Sequence, residues 1–243
     1  MKDLTYHYSL DSLELESPNF MGFAHEYHHE KDGVGLTDYG NFLLSLCFCD
    51  DCTKKARENG VQAESARDTV RRLLEAVFER EVPAPHPGFV ERGIEGFADH
   101  PALRAFLAWR FTPVTDLCLA LRTAASPSTQ IYFLSLVTRR AWLQGIDIEA
   151  IGRVCDGLVV CAHDSAPPQV HQDIAEASRR IAGGKHLSAG FRLFYPETRG
   201  PEDLSAKVRE ATRAGAKGLN FCNFGLIPRG RLSWIRASVE AAG

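Results

Sequence analysis

The chain has 243 residues, 44% of them hydrophobic and 24% charged, with a formal net charge of -3 and a pI near 6.3. That composition suits a soluble globular protein with enough apolar side chains for a sizeable core, and its mildly acidic balance excludes nucleic acid as the main partner. No run approaches the ~20 apolar residues of a spanning helix, and Met1-Lys2-Asp3-Leu4 lacks the basic and apolar blocks of a signal peptide, so no membrane partner is expected and the expected compartment is the cytoplasm.

The first predicted element is a short strand over Leu13, Glu14, Leu15 and Glu16, where apolar and acidic residues alternate until Ser17-Pro18 ends the run. The loop that follows carries His25, Glu26, His28, His29 and Glu30. Histidine near neutrality relays protons, bonds hydroxyls or holds metal, and solvated loop histidines do none of these. Residues 38–46 and 51–59 read as helices, the second stopping at Asn59-Gly60. Residues 64–81 place Val70, Leu73, Leu74 and Val77 at spacings of three and four, which predicts an amphipathic helix. Pro83, Pro85 and Pro87 predict an extended linker to about residue 99, and residues 101–123 read as one long helix.

The second half has a regular rhythm. Residues 129–137, 157–162, 187–195 and 218–224 are near-continuous apolar strands, separated by helical patterns over 148–154, 168–182 and 201–214 and followed by a last helix over about 229–241. Strands alternating with helices in this way predict parallel βαβ units buried on both faces. With the first strand, the count is five. The expected fold is therefore α/β, a parallel-sheet (β/α) barrel of TIM type that is incomplete: the last five βα units, with the N-terminal units absent. The expected organisation is a single partial barrel domain over 1–243, with 17–128 as a long helical insertion. Exposed edges on the outer strands would invite a second copy, or a missing N-terminal half, to pair there.

Seven cysteines are present. Cys118, Cys155, Cys161 and Cys222 lie singly in apolar segments and read as buried thiols. Cys47, Cys49 and Cys52 form a separate C-x-C-x-x-C cluster, which supplies most of the shell of a tetrahedral zinc. His25, His28, His29 or a distant cysteine would complete it. A redox pair at Cys49 and Cys52, or an iron–sulfur cluster, fits the spacing less well.

The segment Leu46-Cys47-Phe48-Cys49-Asp50-Asp51-Cys52, entering a helix at Thr53-Lys54-Lys55, resembles the cysteine segment of barrel-fold glycoside hydrolases. The likeness is to the zinc-bearing β-galactosidases of clan A and to related bacterial glycosidase-like barrels; the first strand with its loop and the closing run over residues 218–228 are similar to the latter. The resemblance covers most of the chain, from the fourth barrel strand onward, and implies a carbohydrate as the small-molecule partner. In clan A the acid/base and the nucleophile are glutamates at the ends of the fourth and seventh strands, which maps them onto Glu16 and Glu197. This chain departs from the pattern at Leu15, where clan A has asparagine, and at Glu197, which follows Tyr195-Pro196 rather than lying within the strand.

Barrels place their chemistry at the C-terminal ends of the strands, so the expected substrate-binding residues are Glu14, Asn19, His25, His28, His29, His163, Asp164, Arg192, Tyr195, Asn220 and Asn223. Phe20, Tyr27 and Phe224 are candidate stacking surfaces. Arg110 and Arg192 are candidate counter-ions for Glu14 and Glu16. Two alternatives stand beside the hydrolase reading: a non-catalytic carbohydrate- or partner-binding barrel remnant, and a metal-dependent hydrolase using the histidine loop. No P-loop, dinucleotide fingerprint or nucleophile elbow occurs.

Overall fold

The computed structural model describes residues 1–23, 35–163, 165–181 and 183–241. The chain divides into two compact units, Met1–Glu16 with Cys118–Ala141 and Ile148–Gly243, and Ser17–Leu117 with Trp142–Asp147.

The first unit is an α/β half-barrel. Its strands β1 (Ser12–Leu15), β2 (Gln130–Leu136), β3 (Gly157–Cys161), β4 (His186–Arg192) and β5 (Gly218–Cys222) are all parallel and lie in chain order. Parallel strands require crossovers, and helices Ile148–Val154, Pro167–Arg180 and Pro201–Arg213 supply three of them. Pro167 and Pro201 stand in the first turns of their helices, where a missing N–H costs nothing. Val170, Ile174 and Ala177 on one helix, and Leu204, Val208 and Ala211 on the next, recur at helical spacing and are buried.

The strand register sorts residues onto two faces. Leu15, Ile131, Phe133, Leu158, Val160, Leu187, Ala189 and Phe191 are buried and share one face, as the alternation of side chains requires. Glu14, Tyr132, His186, Ser188, Arg192, Asn220 and Cys222 share the other. The Nδ2 of Asn220 donates to both carboxylate oxygens of Glu14, at 3.2 and 3.4 Å. In a flat sheet β1 and β5 would stand about 19 Å apart, four spacings of about 4.8 Å. The sheet is therefore curled, as it is in an eight-stranded barrel, where strands four apart face each other across an interior just filled by side chains. Burial on both faces holds for β3 and β4, whereas β2 alternates, its half-exposed Tyr132, Leu134 and Leu136 lying on the concave face, and β5, the last strand of the sheet, is half-open along its length.

The second unit is helical, with helices Asp38–Leu44, Asp50–Glu58, Ala63–Phe78 and Pro101–Trp109 around a core of Phe42, Leu43, Val70, Phe89, Phe97, Leu103 and Phe106. Two local expectations change here. The stretch after the prolines is not extended throughout: Gly88, at φ +69°, turns the chain into a short helix Phe89–Arg92 and a 3-10 turn Gly93–Phe97. Its aromatic residues Phe89 and Phe97 are core anchors, and their burial outweighs the local proline signal. The expected single helix over 101–123 is two helices, Pro101–Trp109 and Phe111–Ala124. Pro113 is the reason, since it has no N–H for the Trp109 carbonyl and its ring would clash with that group. A first helix, Lys2–His7, precedes the first predicted strand. Among the described residues, no helix is long and apolar enough to cross a membrane.

Candidate functional site

Two clusters of chemically capable side chains stand out, one in each unit.

The first lies on the concave face of the half-barrel, towards the C-terminal ends of the strands. Strand alternation puts Glu14 on this face, where it is bonded to Asn220 from the opposite side of the curl. Glu16 lies just beyond β1 and is exposed. The next residue, Ser17, has φ +56°, a left-handed conformation that a non-glycine residue adopts only when its surroundings hold it there. Cys161 at the end of β3 reports on the whole group. Its thiol is pushed up to about 11, chiefly by burial, with Cys222, Glu16 and Glu14 also raising it and Arg192 opposing them. Glu14, Glu16, Arg192 and Cys222 therefore all act on one sulfur.

Arg192 ends β4, and its Nη1 stands 3.7 Å from Glu197 Oε1. Among the described residues, the Nε of Arg192 and the Oε2 of Glu197 are buried without a hydrogen-bond partner. Buried polar atoms are normally paired, so two orphans on adjacent groups of opposite charge are open bonding capacity. The loop that carries Glu197 is tied down. Thr198 Oγ1 donates to the Arg192 carbonyl at 2.5 Å, and Lys207 Nζ, itself buried, donates to the Glu197 carbonyl and lies 3.7 Å from Asp203. Glu197 also lines an open hollow of about 500 Å³ with Ser165, Pro196, Arg199, Asp203 and Lys207.

The other expected site residues distribute as follows. Asn223, Tyr195 and Phe224 are exposed after the ends of β4 and β5, the aromatic pair at 71% and 78%. His163 is half-buried in the turn after β3. Asn19 belongs to the helical unit, where its Nδ2 donates to Gln144 Oε1 at 2.7 Å. His25, Tyr27, His28, His29 and Asp164 lie outside the described residues. Cys161 and Cys222 differ from the fully buried pair Cys118 and Cys155, being half-buried on the concave face. Their strand phase with Arg192 and Asn220 was the signal for this. Thr198 and Lys207 carried no such signal, because what they hold is backbone.

The second cluster is Cys47, Cys49 and Cys52, whose sulfurs all lie within 4.8 Å of one another. Tetrahedral zinc with Zn–S bonds of about 2.3 Å needs sulfurs about 3.8 Å apart, so the three fit a metal with a small inward movement. Among the described residues, no further His, Cys, Asp or Glu joins them. Cys49 precedes the helix Asp50–Glu58; the Cys52 amide and the thiols of Cys47 and Cys52 lower its pKa, favouring the anion. Cys52 is half-buried, and desolvation with its two thiol neighbours pushes it up to about 12. A metal that displaces the protons removes this conflict.

Of the two candidate counter-ions, Arg192 belongs to the concave face, while Arg110 is buried in the helical unit among Phe20, Phe42 and the cysteine cluster. No family model matches this chain, and no curated protein matches it.

Proposed function

We propose that this protein binds a carbohydrate at the C-terminal rim of the half-barrel and acts as a glycoside hydrolase, with Glu16 as acid/base and Glu197 as nucleophile. The observation that carries the reading is the Arg192–Glu197 pair, held 3.7 Å apart with a buried, unspent donor and acceptor. A sugar hydroxyl both donates and accepts, so vicinal hydroxyls satisfy a guanidinium and a carboxylate together. Asn220, Asn223 and His163 add directional bonds, and exposed Tyr195 and Phe224 add stacking surface.

In the hydrolytic reaction Glu16 protonates the leaving oxygen while Glu197 attacks the anomeric carbon; Glu16 then takes a proton from the water that releases the sugar. Glu14, bonded to Asn220 across the curl, adds a second carboxylate on the concave face that can accept from a sugar hydroxyl. Zinc at Cys47, Cys49 and Cys52 is structural in this reading: thiolate ligands supply folding energy to the helical unit.

One observation favours binding without hydrolysis. Glu16 is exposed, and a general acid is ordinarily made by burial. Isothermal titration against a panel of mono- and disaccharides, with aryl glycoside turnover measured in parallel, separates the readings. Hydrolysis lost in Glu16→Gln and Glu197→Gln supports the enzyme. Sugar binding lost in Arg192→Ala with no turnover in the native chain supports the binding protein. Failure of every sugar to bind refutes both.

A further inference from the structure

Arg110 is 1% exposed, among the most completely buried side chains of the protein. It stands at the junction of helices Pro101–Trp109 and Phe111–Ala124, its guanidinium carbon 4.5 Å from the ring centre of Phe20 and 5.7 Å from that of Phe42. One nitrogen, Nη2, donates to the Leu143 carbonyl at 3.1 Å. Among the described residues, the other two, Nε and Nη1, have no hydrogen-bond partner. A guanidinium cannot shed its charge at neutral pH, even with burial lowering its pKa to about 10. Burying it half-satisfied is therefore a heavy penalty unless an anion stands close by. The cysteine cluster belongs to the same core: Phe48, between Cys47 and Cys49, stacks at 4.6 Å on Phe106, one helical turn before Arg110, and Cys52 packs against the cluster that holds Phe42 and Phe106; among the described residues, Cys52 and Cys47 are the groups that favour its charge.

As neutral thiols those sulfurs compensate nothing. Loading a divalent metal changes the balance: M²⁺ displaces three thiol protons, leaving an M(S-Cys)₃ centre of charge -1 and releasing three H⁺. One fixed positive charge then neutralises the whole centre. We propose that Arg110 is the counter-cation of a metal-loaded Cys47–Cys49–Cys52 centre, a positioning residue that selects the three-thiolate state. The inference rests on the metal reading above. A Cys49–Cys52 disulfide would leave Arg110 without its counter-charge, so the same residue disfavours the redox alternative. Gly145 serves this arrangement: at φ +70°, a Cβ there would stand 2.9 Å from both the Arg110 carbonyl and the Phe20 ring, so its absence lets Phe20 lie over the guanidinium.

The test compares the full chain with Arg110→Met and Arg110→Lys. Each is stripped with a chelator under reducing conditions and titrated with Co²⁺, read by sulfur-to-cobalt charge-transfer absorption; Zn²⁺ affinity is read by competition with a chromophoric chelator. We expect Arg110→Met to bind 10- to 100-fold more weakly, the usual range for groups just outside a metal's ligands, and Arg110→Lys to recover most of the loss. Metal-free Arg110→Met should melt no lower than the metal-free native chain, because it removes a buried, half-satisfied charge. A packing role predicts the reverse order, with Met tolerated better than Lys and the metal-free melting temperature lowered. Native affinity in Arg110→Met, or equal loss in both variants, overturns the proposal and leaves the metal reading standing. A native chain that binds neither ion overturns the metal reading, and this proposal with it.

Discussion

Asp173 offers the sharpest test of how the rim of the half-barrel is held. It sits on helix Pro167–Arg180 and is 1% exposed. Its Oδ1 accepts from Arg139 Nε at 3.3 Å and Gln169 Nε2 at 3.1 Å, and its Oδ2 accepts from Ser165 Oγ at 3.0 Å. Its carbonyl accepts from Thr138 Oγ1 at 3.3 Å. Thr138 and Arg139 follow β2 and Ser165 follows β3, so one carboxylate joins two loops at the C-terminal ends of adjacent strands. Removing one partner of a buried ion pair costs about 3–5 kcal/mol. Arg139 is 32% exposed and can turn towards water, which argues for the low end, but the Ser165 hydroxyl is buried and would be orphaned at a cost of about 1–3 kcal/mol. We therefore expect Asp173→Ala to lose about 3 kcal/mol. For a chain of 243 residues that lowers the melting temperature by about 6–12 °C, and Asp173→Asn, which keeps an acceptor but not the charge, should lose about half as much. Scanning calorimetry of the three chains at pH 7 checks this. An Asp173→Ala midpoint within about 2 °C of native, or an Asn variant no better than Ala, would show that the network is not what joins the loops.

Gly145→Ala should destabilise the helical unit by about 2–4 kcal/mol, because a positive φ and two contacts at 2.9 Å are strained together; urea unfolding followed by tryptophan fluorescence measures it. Stability should also fall at alkaline pH. The folded state holds the Cys161 proton up to about 11, above the ordinary thiol value of 9.0. That stabilisation is complete below pH 9 and is lost as pH rises to about 11, worth about 2–3 kcal/mol. Cys161→Ala should show a correspondingly shallower decline over that window, and parallel curves for the two chains would contradict the assignment. At the metal-binding cluster, brief alkylation near neutral pH of the chelator-treated chain should label Cys49 before Cys52, because the first thiol is shifted towards its anion and the second away from it. Peptide mass mapping reads the order, and prior loading with Zn²⁺ should protect both.

What could be read along the chain was whatever depends on local periodicity. An alternating run over residues 13–16 and four near-continuous apolar runs separated by helical patterns marked five parallel strands, and the Cys47, Cys49 and Cys52 spacing marked a metal-sized cluster, because all are patterns of neighbours. Pro113 was present in the sequence, but a helix boundary depends on which carbonyl that ring meets, and Phe89 and Phe97 became anchors only once a core existed for them. The candidate site was partly legible: Glu14, Arg192 and Asn220 could be assigned to the ends or inner phase of strands by alternation alone. Their meeting was not, since Glu14 and Asn220 lie 206 positions apart and touch only because the sheet curls. Tertiary structure also decided Arg110. Its charge is written in the sequence, but its burial against Phe20 and Phe42, in one core with a thiol some sixty positions earlier, follows from how helices pack, and electrostatic energy depends on distance in space and on the water excluded from it.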